Sequence, residues 1–326
     1  MPAFSVIIPS RNRPEILAAA VNSVLAQDFA DYEIIVVDDG SEPRLDFADL
    51  QVRSGAQGKI HIVNLDCQPR GRGPGYARNV GVWASSGAYC AFLDDDDIWI
   101  KTDHLSSAWK AIDANESPAD LYLSNQEACF PGSSEIKRLW LYPLVASLGK
   151  MGPPLHSGCY TVNADQLIAS GGFSHLNTTI ISRELFDRVS GIDEYIGYEE
   201  DLDFYLRAID RARRILFCPD IVARHHVPDK SKQDNASTAV TYLHRLNIRL
   251  YLLNKNMMTA RHTAIARYCH EYTVSTTKHM AEKYVEEGNY PFAYQFAARA
   301  LGAGFSVKWF VYCLYLRCRS WLPGGK

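Results

Sequence analysis

An apolar run that ends in four consecutive carboxylates is the feature that most constrains how this chain can fold. Residues Cys90 to Leu93 have the composition of a buried strand, and Asp94 to Asp97 follow directly. Like charges about 4 Å apart repel by roughly 1 kcal/mol per pair in water and about 4 kcal/mol near a protein surface. Carboxylate oxygens are the ligands that Mg2+ and Mn2+ prefer. The stretch therefore predicts a divalent cation at a strand end or, as the plainer alternative, a solvated acidic loop. If the chain stays extended, Asp94 and Asp96 face one way and Asp95 and Asp97 the other.

The residues before this run predict a sheet whose strands alternate with helices. Short apolar segments at 4–9, 33–37, 59–65 and 89–93 have the pattern of strands, and helical patterns begin at Pro14 and near Tyr76. Because the strands are apolar throughout, the sequence predicts an α/β fold with a mostly parallel sheet and helices on both faces. Ligands bind at the carboxyl ends of such strands. Asp39 and the acidic run both follow strands, so we expect them to share one crevice.

Composition excludes several classes of protein. With 326 residues, 47% of them apolar, the chain can bury a large core. Its formal net charge of −3 argues against a nucleic-acid partner. The eight cysteines form no C-x-x-C pair, so we interpret them as reduced thiols. The first residues lack the pattern of a signal peptide, and we expect a cytoplasmic protein.

Four segments in a fixed order carry a resemblance to a known family. They are VIIPSRNR at 6–13, DDGS at 38–41, ARNVG at 77–81 and FLDDDDIW at 92–99. Their order and spacing resemble the signatures of family 2 glycosyltransferases, which have the Rossmann-like GT-A fold. The resemblance implies a hexosyltransferase that uses a nucleotide-diphosphate-sugar, with a UDP-sugar as the leading donor. It also implies Mn2+ or Mg2+ and inversion at the anomeric carbon.

The same resemblance assigns the donor site. Pro9 and Arg11 would line the nucleotide pocket, Asp39 would hydrogen-bond the base, and Arg78 would lie near the nucleotide. The remaining donor-binding positions are Asp94 and Asp95. Asp94 and Asp96 match the D-x-D motif and would hold the metal, which stabilises the charge on the departing diphosphate. Four aspartates stand where the pattern needs two, so Asp95 with Asp97 is the rival pair.

A second acidic cluster, Glu199 to Asp203, opens a helical pattern. A helix dipole favours acids at its first turn by roughly 0.3 to 1 kcal/mol, which accounts for one or two of them. The segment is similar to the family's E-D-x-D/E motif, with Glu200 and Asp201 in the matching places. The resemblance implies that Asp201 is the general base, with Glu200 in reserve. It also implies a histidine contact to the metal, for which His226 fits the spacing better than His225.

The chain divides by pattern into a GT-A domain at 1–230 and a helical extension at 231–326. Within the domain we expect a donor half at 1–125 and an acceptor half at 126–230. The last helix, Ser306 to Leu322, mixes aromatic residues with cations and is too short to span a bilayer. It would lie on the inner face of the membrane, pack on the catalytic domain, or join two copies of the chain.

The leading hypothesis is a metal-dependent inverting glycosyltransferase that acts on a glycan or lipid-linked acceptor in surface polysaccharide biosynthesis. One alternative is a degenerate GT-A fold that binds nucleotide-sugar or glycan without catalysis. Another is a sugar-nucleotide pyrophosphorylase. That enzyme needs a glycine-rich loop after the first strand, and residues 9–14 contain no glycine.

Overall fold

The computed structural model describes residues 1–50, 52, 56–113, 118–133, 135–150, 152–228 and 240–321. The chain forms two compact units, Met1–Ser231 and Lys232–Lys326. The predicted domain boundary after residue 230, and Leu322 at the end of the predicted last helix, lie outside the described residues.

One ten-stranded mixed sheet forms the framework of the first unit. Its strands are β1 (Phe4–Ser10), β2 (Tyr32–Asp38), β3 (Ile60–Asn64), β4 (Tyr89–Phe92), β5 (Ile98–Trp99), β6 (Leu121–Cys129), β7 (Ile136–Arg138), β8 (Tyr160–Val162), β9 (Thr179–Ser182) and β10 (Ile215–His226). The order is β3-β2-β1-β4-β9-β6-β10-β5, with β7 on β6 and β8 on β10. Strands β1 to β4 are parallel, whereas β9 is antiparallel to both β4 and β6. The predicted α/β class is confirmed, and the antiparallel strands make the sheet mixed.

Seven α-helices accompany this sheet in the described residues of the first unit. They are α1 (Pro14–Leu25), α2 (Pro74–Ala84), α3 (His104–Asp113), α4 (Tyr142–Val145), α5 (Ala164–Ala169), α6 (Arg183–Arg188) and α7 (Glu200–Arg211). Helices α1 and α2 each begin at a proline, which has no N–H to leave unsatisfied in the first turn. Each of these two helices follows the carboxyl end of a parallel strand, so each starts at the edge where ligands bind.

Close packing of α2 on the sheet fixes the position of segment 77–81. The first strands are buried on both faces, as the uninterrupted apolar runs predict; Ile7, Ile8, Ile34 and Ile35 are at most 1% exposed. A Cβ added at Gly81 would lie 2.4 Å from Cγ2 of Ile7. The helix can therefore approach β1 only with glycine at this position, and that approach brings Arg78 to the strand ends.

The patterns of residues 214–218 and 221–225 predict two separate strands, but the structure forms one strand there, β10, whose register against β6 shifts between Phe217 and Ala223. The shift absorbs Pro219, which cannot donate to the sheet. The four prolines of region 130–158 predict irregular structure, and this prediction is wrong in part, since the region contains β7 and α4.

The second unit is helical in its described residues. It contains α8 (Tyr242–Thr259), α9 (Thr263–Glu286), α10 (Tyr290–Ala303) and α11 (Val307–Trp321). Consecutive helices pack on one another, α8 on α9, α9 on α10 and α10 on α11. Across the described part of the chain, no helix combines the length and apolarity that crossing a bilayer requires.

Candidate active site

The four aspartates form a turn rather than an extended strand end. The backbone N–H of Asp97 donates to the carbonyl of Asp94 over 3.1 Å, which reverses the chain. The expected alternation of the four side chains is therefore wrong. Instead, carboxylate oxygens of Asp94, Asp96 and Asp97 all lie within 4.8 Å of one another. The turn gathers three carboxylates at the end of β4.

Asp95 points away from these three. Its Oδ2 accepts a hydrogen bond from Ser10 Oγ at 2.7 Å, and its Oδ1 lies 2.6 Å from Arg13 Nη2. Arg13 Nη1 also contacts Asp96 Oδ2 at 3.1 Å. Burial raises the pKa of Asp95 to about 7, although the Arg13 charge acts against this rise. Burial, with Asp97 and Asp94 nearby, raises the pKa of Asp96 to about 6. Arg13, which the sequence did not single out as a site residue, is thus a cation placed among acids.

Asp97 is completely buried and satisfied by three donors. Its Oδ2 lies 2.7 Å from His225 Nδ1 and 2.5 Å from Asn177 Nδ2, and its Oδ1 accepts from the backbone N–H of His226 at 2.7 Å. Burial alone would raise its pKa, but the hydrogen bonds from the two histidines hold it far below the usual range. His226 turns its Nδ1 to the carbonyl of Asp96, 2.6 Å away. Both candidate histidines therefore flank the acidic turn.

Arg78 joins the two acidic clusters. Its Nη2 lies 2.5 Å from Asp94 Oδ1 and its Nη1 lies 3.0 Å from Glu200 Oε1, and the residue is 4% exposed. Burial opposes its charge, but the two carboxylates raise the pKa of Arg78 above its ordinary value. The strand-end turn and the start of α7 are thereby held together by one buried guanidinium.

Asp201 lies in the first turn of α7, and its side chain is 18% exposed. Its Oδ1 accepts from the backbone N–H of Leu202 at 2.8 Å. Burial raises the pKa of Asp201 to about 7, and the neighbouring charge of Glu200 adds to this rise. A carboxylate with such a pKa is suited to taking a proton near neutral pH. The residue before α7, Glu199, has a φ of +62°, a left-handed conformation that is rare for a non-glycine residue.

His175 lies between the two clusters. Its Nε2 is 3.8 Å from Asp201 Oδ2 and 3.9 Å from Asp94 Oδ2. Its Nδ1 faces the backbone N–H of Asn177 at 3.4 Å, which assigns the ring proton to Nε2. Burial lowers the pKa of His175 to about 4, so the ring is neutral at physiological pH. Its one N–H therefore points toward both carboxylates.

Trp140 covers this side of the site. Its ring centroid is 6.1 Å from that of His175 and 5.6 Å from that of His225. The backbone at Trp140 has a φ of +58°, and a Cβ added at Gly172 would lie 2.0 Å from the Trp140 carbonyl oxygen. Glycine at 172 is what allows the chain around Trp140 to lie there.

The predicted donor residues line the edge formed by β1, β2 and α2. Asp39 is 6% exposed, and its carboxylate accepts the backbone N–H groups of Arg72 and Gly73 at 2.8 and 2.9 Å. Arg11 Nη2 donates to the carbonyl of Gln68 at 2.8 Å, while its buried Nε has no hydrogen-bond partner. Pro9 is buried in β1 opposite Val37. Asp39 is fixed by the loop before α2, and Arg11 lies over that loop.

The acidic turn fits a hard divalent cation. Three carboxylates from one turn can each offer an oxygen to a shared ion, and oxygen is the ligand type that Mg2+ and Mn2+ prefer. The grouping includes both members of the Asp94 and Asp96 pair, whereas Asp95 is held by Ser10 and Arg13. His226 lies beside the group rather than in it.

Sequence reasoning missed His175, Asn177 and Trp140. The first two lie just before β9, and Ile180 of β9 pairs with Ala91 of β4 in antiparallel register. The residues before β9 consequently meet the residues after β4. The polar pair His175 and Asn177 before a strand was a signal that the sequence offered. The sequence does not show, however, whether β9 runs parallel or antiparallel to β4.

The match to a family model spans residues 5–188 and carries the description "Glycosyl transferase family 2". More than half of the chain is matched, and the chain belongs to this family of glycosyltransferases. The residues that point to the family, from β1 to the acidic turn, are those that the fold brings to one edge of the sheet.

Several relatives and solved structures are similar to the chain. The succinoglycan biosynthesis protein ExoW of Rhizobium meliloti is 28% identical over 232 residues, which is 67% of each chain. The Escherichia coli enzyme WfgD, named as a UDP-Glc:alpha-D-GlcNAc-diphosphoundecaprenol beta-1,3-glucosyltransferase, is 35% identical over 29% of this chain and 36% of its own. The structure of Staphylococcus aureus TarS 1–349 with UDP-GlcNAc is similar in fold, with a TM-score of 0.63, 19% identity, and coverage of 97% of this chain and 88% of that one. Against a longer TarS chain, the match spans 53% of that chain.

Proposed function

We propose that the protein transfers a hexose from a nucleotide-diphosphate-sugar to a hydroxyl group of a glycan or lipid-linked acceptor, with inversion and with Mn2+ or Mg2+. The observation that carries this proposal is the placement of Asp201. The neutral ring of His175 separates Asp201 from Asp94, which is one of the three clustered carboxylates of Asp94, Asp96 and Asp97. A proton acceptor for the attacking hydroxyl and a cation site for the leaving diphosphate are therefore close enough to serve one transfer reaction.

In this proposal, residues 1–125 form the donor half. Asp39 binds the base of the nucleotide, Pro9 and Arg11 line its pocket, and Arg78 and Asp95 keep the acidic turn in shape. The relative WfgD is named for UDP-Glc, and structures similar in fold contain UDP-GlcNAc or GDP-Man. A UDP-sugar is the donor that we expect first.

Asp94 and Asp96 are the proposed metal ligands, with Asp97 and His226 beside them. When bound, the cation supplies electrostatic stabilisation to the diphosphate that leaves. Arg13 contacts Asp96 at 3.1 Å and Asp95 at 2.6 Å, so its charge offsets the repulsion within the turn. Asp97 has its oxygens occupied by His225, Asn177 and the backbone of His226, so we assign it the role of holding these groups.

Asp201 is the proposed general base. Its carboxylate takes the proton of the acceptor hydroxyl as the oxygen attacks the anomeric carbon from the face opposite the diphosphate. Inversion follows from a single displacement of this kind. The Nε2–H of His175 faces the Asp201 carboxylate from 3.8 Å and would orient it if the two groups approach to hydrogen-bond distance. Glu200 is held by Arg78 and is the reserve base.

The acceptor would enter through residues 126–230. Trp140 offers an aromatic surface beside His175, whose ring faces Asp201, and the apolar face of a sugar ring can pack on such a surface. ExoW is named for succinoglycan biosynthesis, and the name of WfgD specifies a diphosphoundecaprenol-linked sugar as its acceptor. These names support a role in surface polysaccharide biosynthesis with a glycan or lipid-linked acceptor.

The test is turnover with a panel of UDP-, GDP- and dTDP-sugars, with and without MnCl2, in the presence of candidate acceptors. We expect one donor to be consumed in a metal-dependent reaction, and NMR of the product to show the opposite anomeric configuration from the donor. Retention of the donor's anomeric configuration in the product would contradict a single-displacement mechanism. Donor binding without transfer or hydrolysis would favour a non-catalytic binding module, and formation of nucleotide-sugar from sugar phosphate and nucleoside triphosphate would favour a pyrophosphorylase.

A further inference from the structure

The last helix, α11, has two apolar faces, and only one of them is used for packing inside the second unit. The inner face contributes Cys313 and Leu316, at 4% and 0% exposure, to a cluster with Ala293 and Ala297 of α10. Trp309 of this face also donates its Nε1–H to the carbonyl of Ala297 at 2.9 Å. These contacts are enough to fix how α11 is rotated on α10.

The opposite face of α11 is apolar and exposed. Spacings of three and four residues place its members on one line along the helix. We call this line the outer stripe; it consists of Val307 (69% exposed), Phe310 (42%), Val311 (59%), Leu314 (49%), Cys318 and Trp321 (73%). Phe305, just before the helix, is 72% exposed. Exposed apolar surface of this extent and regularity marks an interaction site.

Cations flank the outer stripe on both sides. At 100° per residue, Lys308 and Arg319 lie on one flank of the stripe and Arg317 on the other. All three are exposed, and the segment 305–321 contains no acidic residue. Arg317 and Arg319 donate to the hydroxyl groups of Tyr294 and Tyr290 of α10, which holds both guanidinium groups beside the stripe.

Charge is strongly segregated between the two units. Residues 240–321 contain eleven Lys and Arg and four Asp and Glu, a formal net charge of +7, although the whole chain carries −3. The rest of the chain therefore carries −10. A basic unit with an apolar stripe complements a surface that is both anionic and able to take up hydrocarbon side chains.

We propose that the outer stripe of α11 binds the surface of an anionic lipid bilayer. The helix would lie in the plane of the interface, with the stripe among the acyl chains and Lys308, Arg317 and Arg319 at the level of the phosphates. Its 15 residues extend about 22 Å, which is less than the roughly 30 Å of hydrocarbon that a spanning helix crosses. This inference rests on the stripe and its charges and is independent of the function proposed for Asp201.

A second copy of the chain is the less fitting occupant. Two outer stripes facing each other would bring two sets of three cations together. Glu282 of α9 lines a cleft with Lys308, but the segment 305–321 supplies no carboxylate to pair with the other cations. A nucleic acid would match the charge but would leave the exposed phenylalanine, valine and leucine side chains without a partner. The lipid surface accounts for both parts of the pattern.

The experiment is co-sedimentation of the full chain with vesicles of phosphatidylcholine, alone or mixed with phosphatidylglycerol. We expect the wild type to bind the mixed vesicles, to bind pure phosphatidylcholine much more weakly, and to be released by salt. The double variant Phe310→Asn with Leu314→Asn should reduce partitioning by roughly tenfold or more, since both side chains leave the bilayer. Lys308→Gln should weaken binding only to the anionic vesicles.

A matched control comes from α8, where Tyr251 and Met258 are also exposed at a seven-residue spacing. Tyr251→Asn with Met258→Asn should bind vesicles as the wild type does. Wild-type protein that stays in solution with anionic vesicles, or stripe variants that bind as tightly as the wild type, would overturn the proposal. If light scattering shows a dimer that the stripe variant alone converts to monomer, while vesicles capture neither protein, the stripe is an interface between copies. Donor hydrolysis, measured on the same samples, reports separately on the active site.

Discussion

The two acidic clusters of the site, Asp94 to Asp97 and Glu199 to Asp203, differ in how completely their carboxylates are paired with donors and cations. In the first, nearly every carboxylate is paired: Asp94 with Arg78, Asp95 with Ser10 and Arg13, and Asp97 with two histidines and Asn177. Asp96 is the most open of the four, with a side chain 27% exposed. In the second, Glu200 is paired with Arg78 and Asp203 with Arg207, but Asp201 depends on its helix and His175.

This difference teaches which carboxylates are free to do chemistry. Asp95 and Asp97 have both carboxylate oxygens in hydrogen bonds or ion pairs and hold the turn in shape, whereas Arg78 contacts Asp94 through Oδ1. Asp96 and Asp201 have pKa values raised to about 6 and about 7, because burial is not fully offset by positive charge. The pKa of Asp95 is also raised to about 7, but its oxygens are held by Ser10 and Arg13. In the proposed function Asp96 gains a cation and Asp201 a proton, and each carboxylate would be stabilised by that partner.

Replacing Asp201 tests the comparison most severely. We expect Asp201→Asn to lower kcat for transfer by about 1,000-fold, which is within the range for loss of a general base, with donor affinity unchanged. Single-turnover transfer and calorimetric donor binding measure the two quantities. The exposed Asp113, replaced by Asn, is the control. A variant that keeps wild-type turnover would show that Glu200 or another group takes the proton.

Replacing Asp96 tests the first cluster. Asp96→Ala should weaken donor binding in MnCl2 by roughly 100-fold and leave binding in EDTA unchanged, because the lost ligand acts only through the cation. Calorimetry with the donor in each condition gives the comparison, and Asp103→Ala is the matched control. If Asp95→Ala has this effect and Asp96→Ala does not, the metal-binding pair is Asp95 with Asp97.

His175 should have a smaller effect because it acts through Asp201. We expect His175→Ala to lower kcat by roughly 10- to 100-fold with little change in the donor KM. His175→Gln, which can present an N–H from a similar distance, should recover part of the loss. A fall in Tm without the recovery by glutamine would mean that the ring only fills space.

The smallest expected effect is a shift in pH dependence. Asp201 accepts a proton only when ionised, so activity falls as pH drops through its pKa, which is about 7 without donor. Glu200→Gln removes the nearby negative charge that helps to raise this pKa and releases the Arg78 charge. The acidic limb of the kcat profile should therefore move to lower pH by up to about one unit. A limb that moves to higher pH or does not move would contradict the assignment of Asp201.

Much of the donor side could be predicted from the sequence because it is built from contiguous segments. The strand, turn and helix around Asp39, Arg78 and Asp94 each follow from local patterns, and parallel strands bring their carboxyl ends together by geometry. The neighbours of Asp201 could not be found in this way. His175 reaches it because β9 runs antiparallel to β4, and Trp140 reaches His175 because Gly172 leaves space for its backbone.

The net charge of −3 for the whole chain conceals the segregation of charge between the two units. The outer stripe of α11 was visible only as a mixture of aromatic and basic residues. Which of its two apolar faces is buried depends on α10, and the packing of Cys313 and Leu316 decides it.

The guanidinium of Arg78 has a consequence for how this site can change over evolutionary time. Loss of Arg78 alone would leave Asp94 and Glu200 as partly buried, uncompensated charges, and loss of either acid would leave part of a buried cation unmatched. Once one of the three residues has been substituted, substitution of a second destabilises the fold less than it would alone. The three positions are therefore epistatic. Lineages that lose the donor chemistry should lose this triad as a group, and a homologue that keeps Arg78 without its acids should be rare.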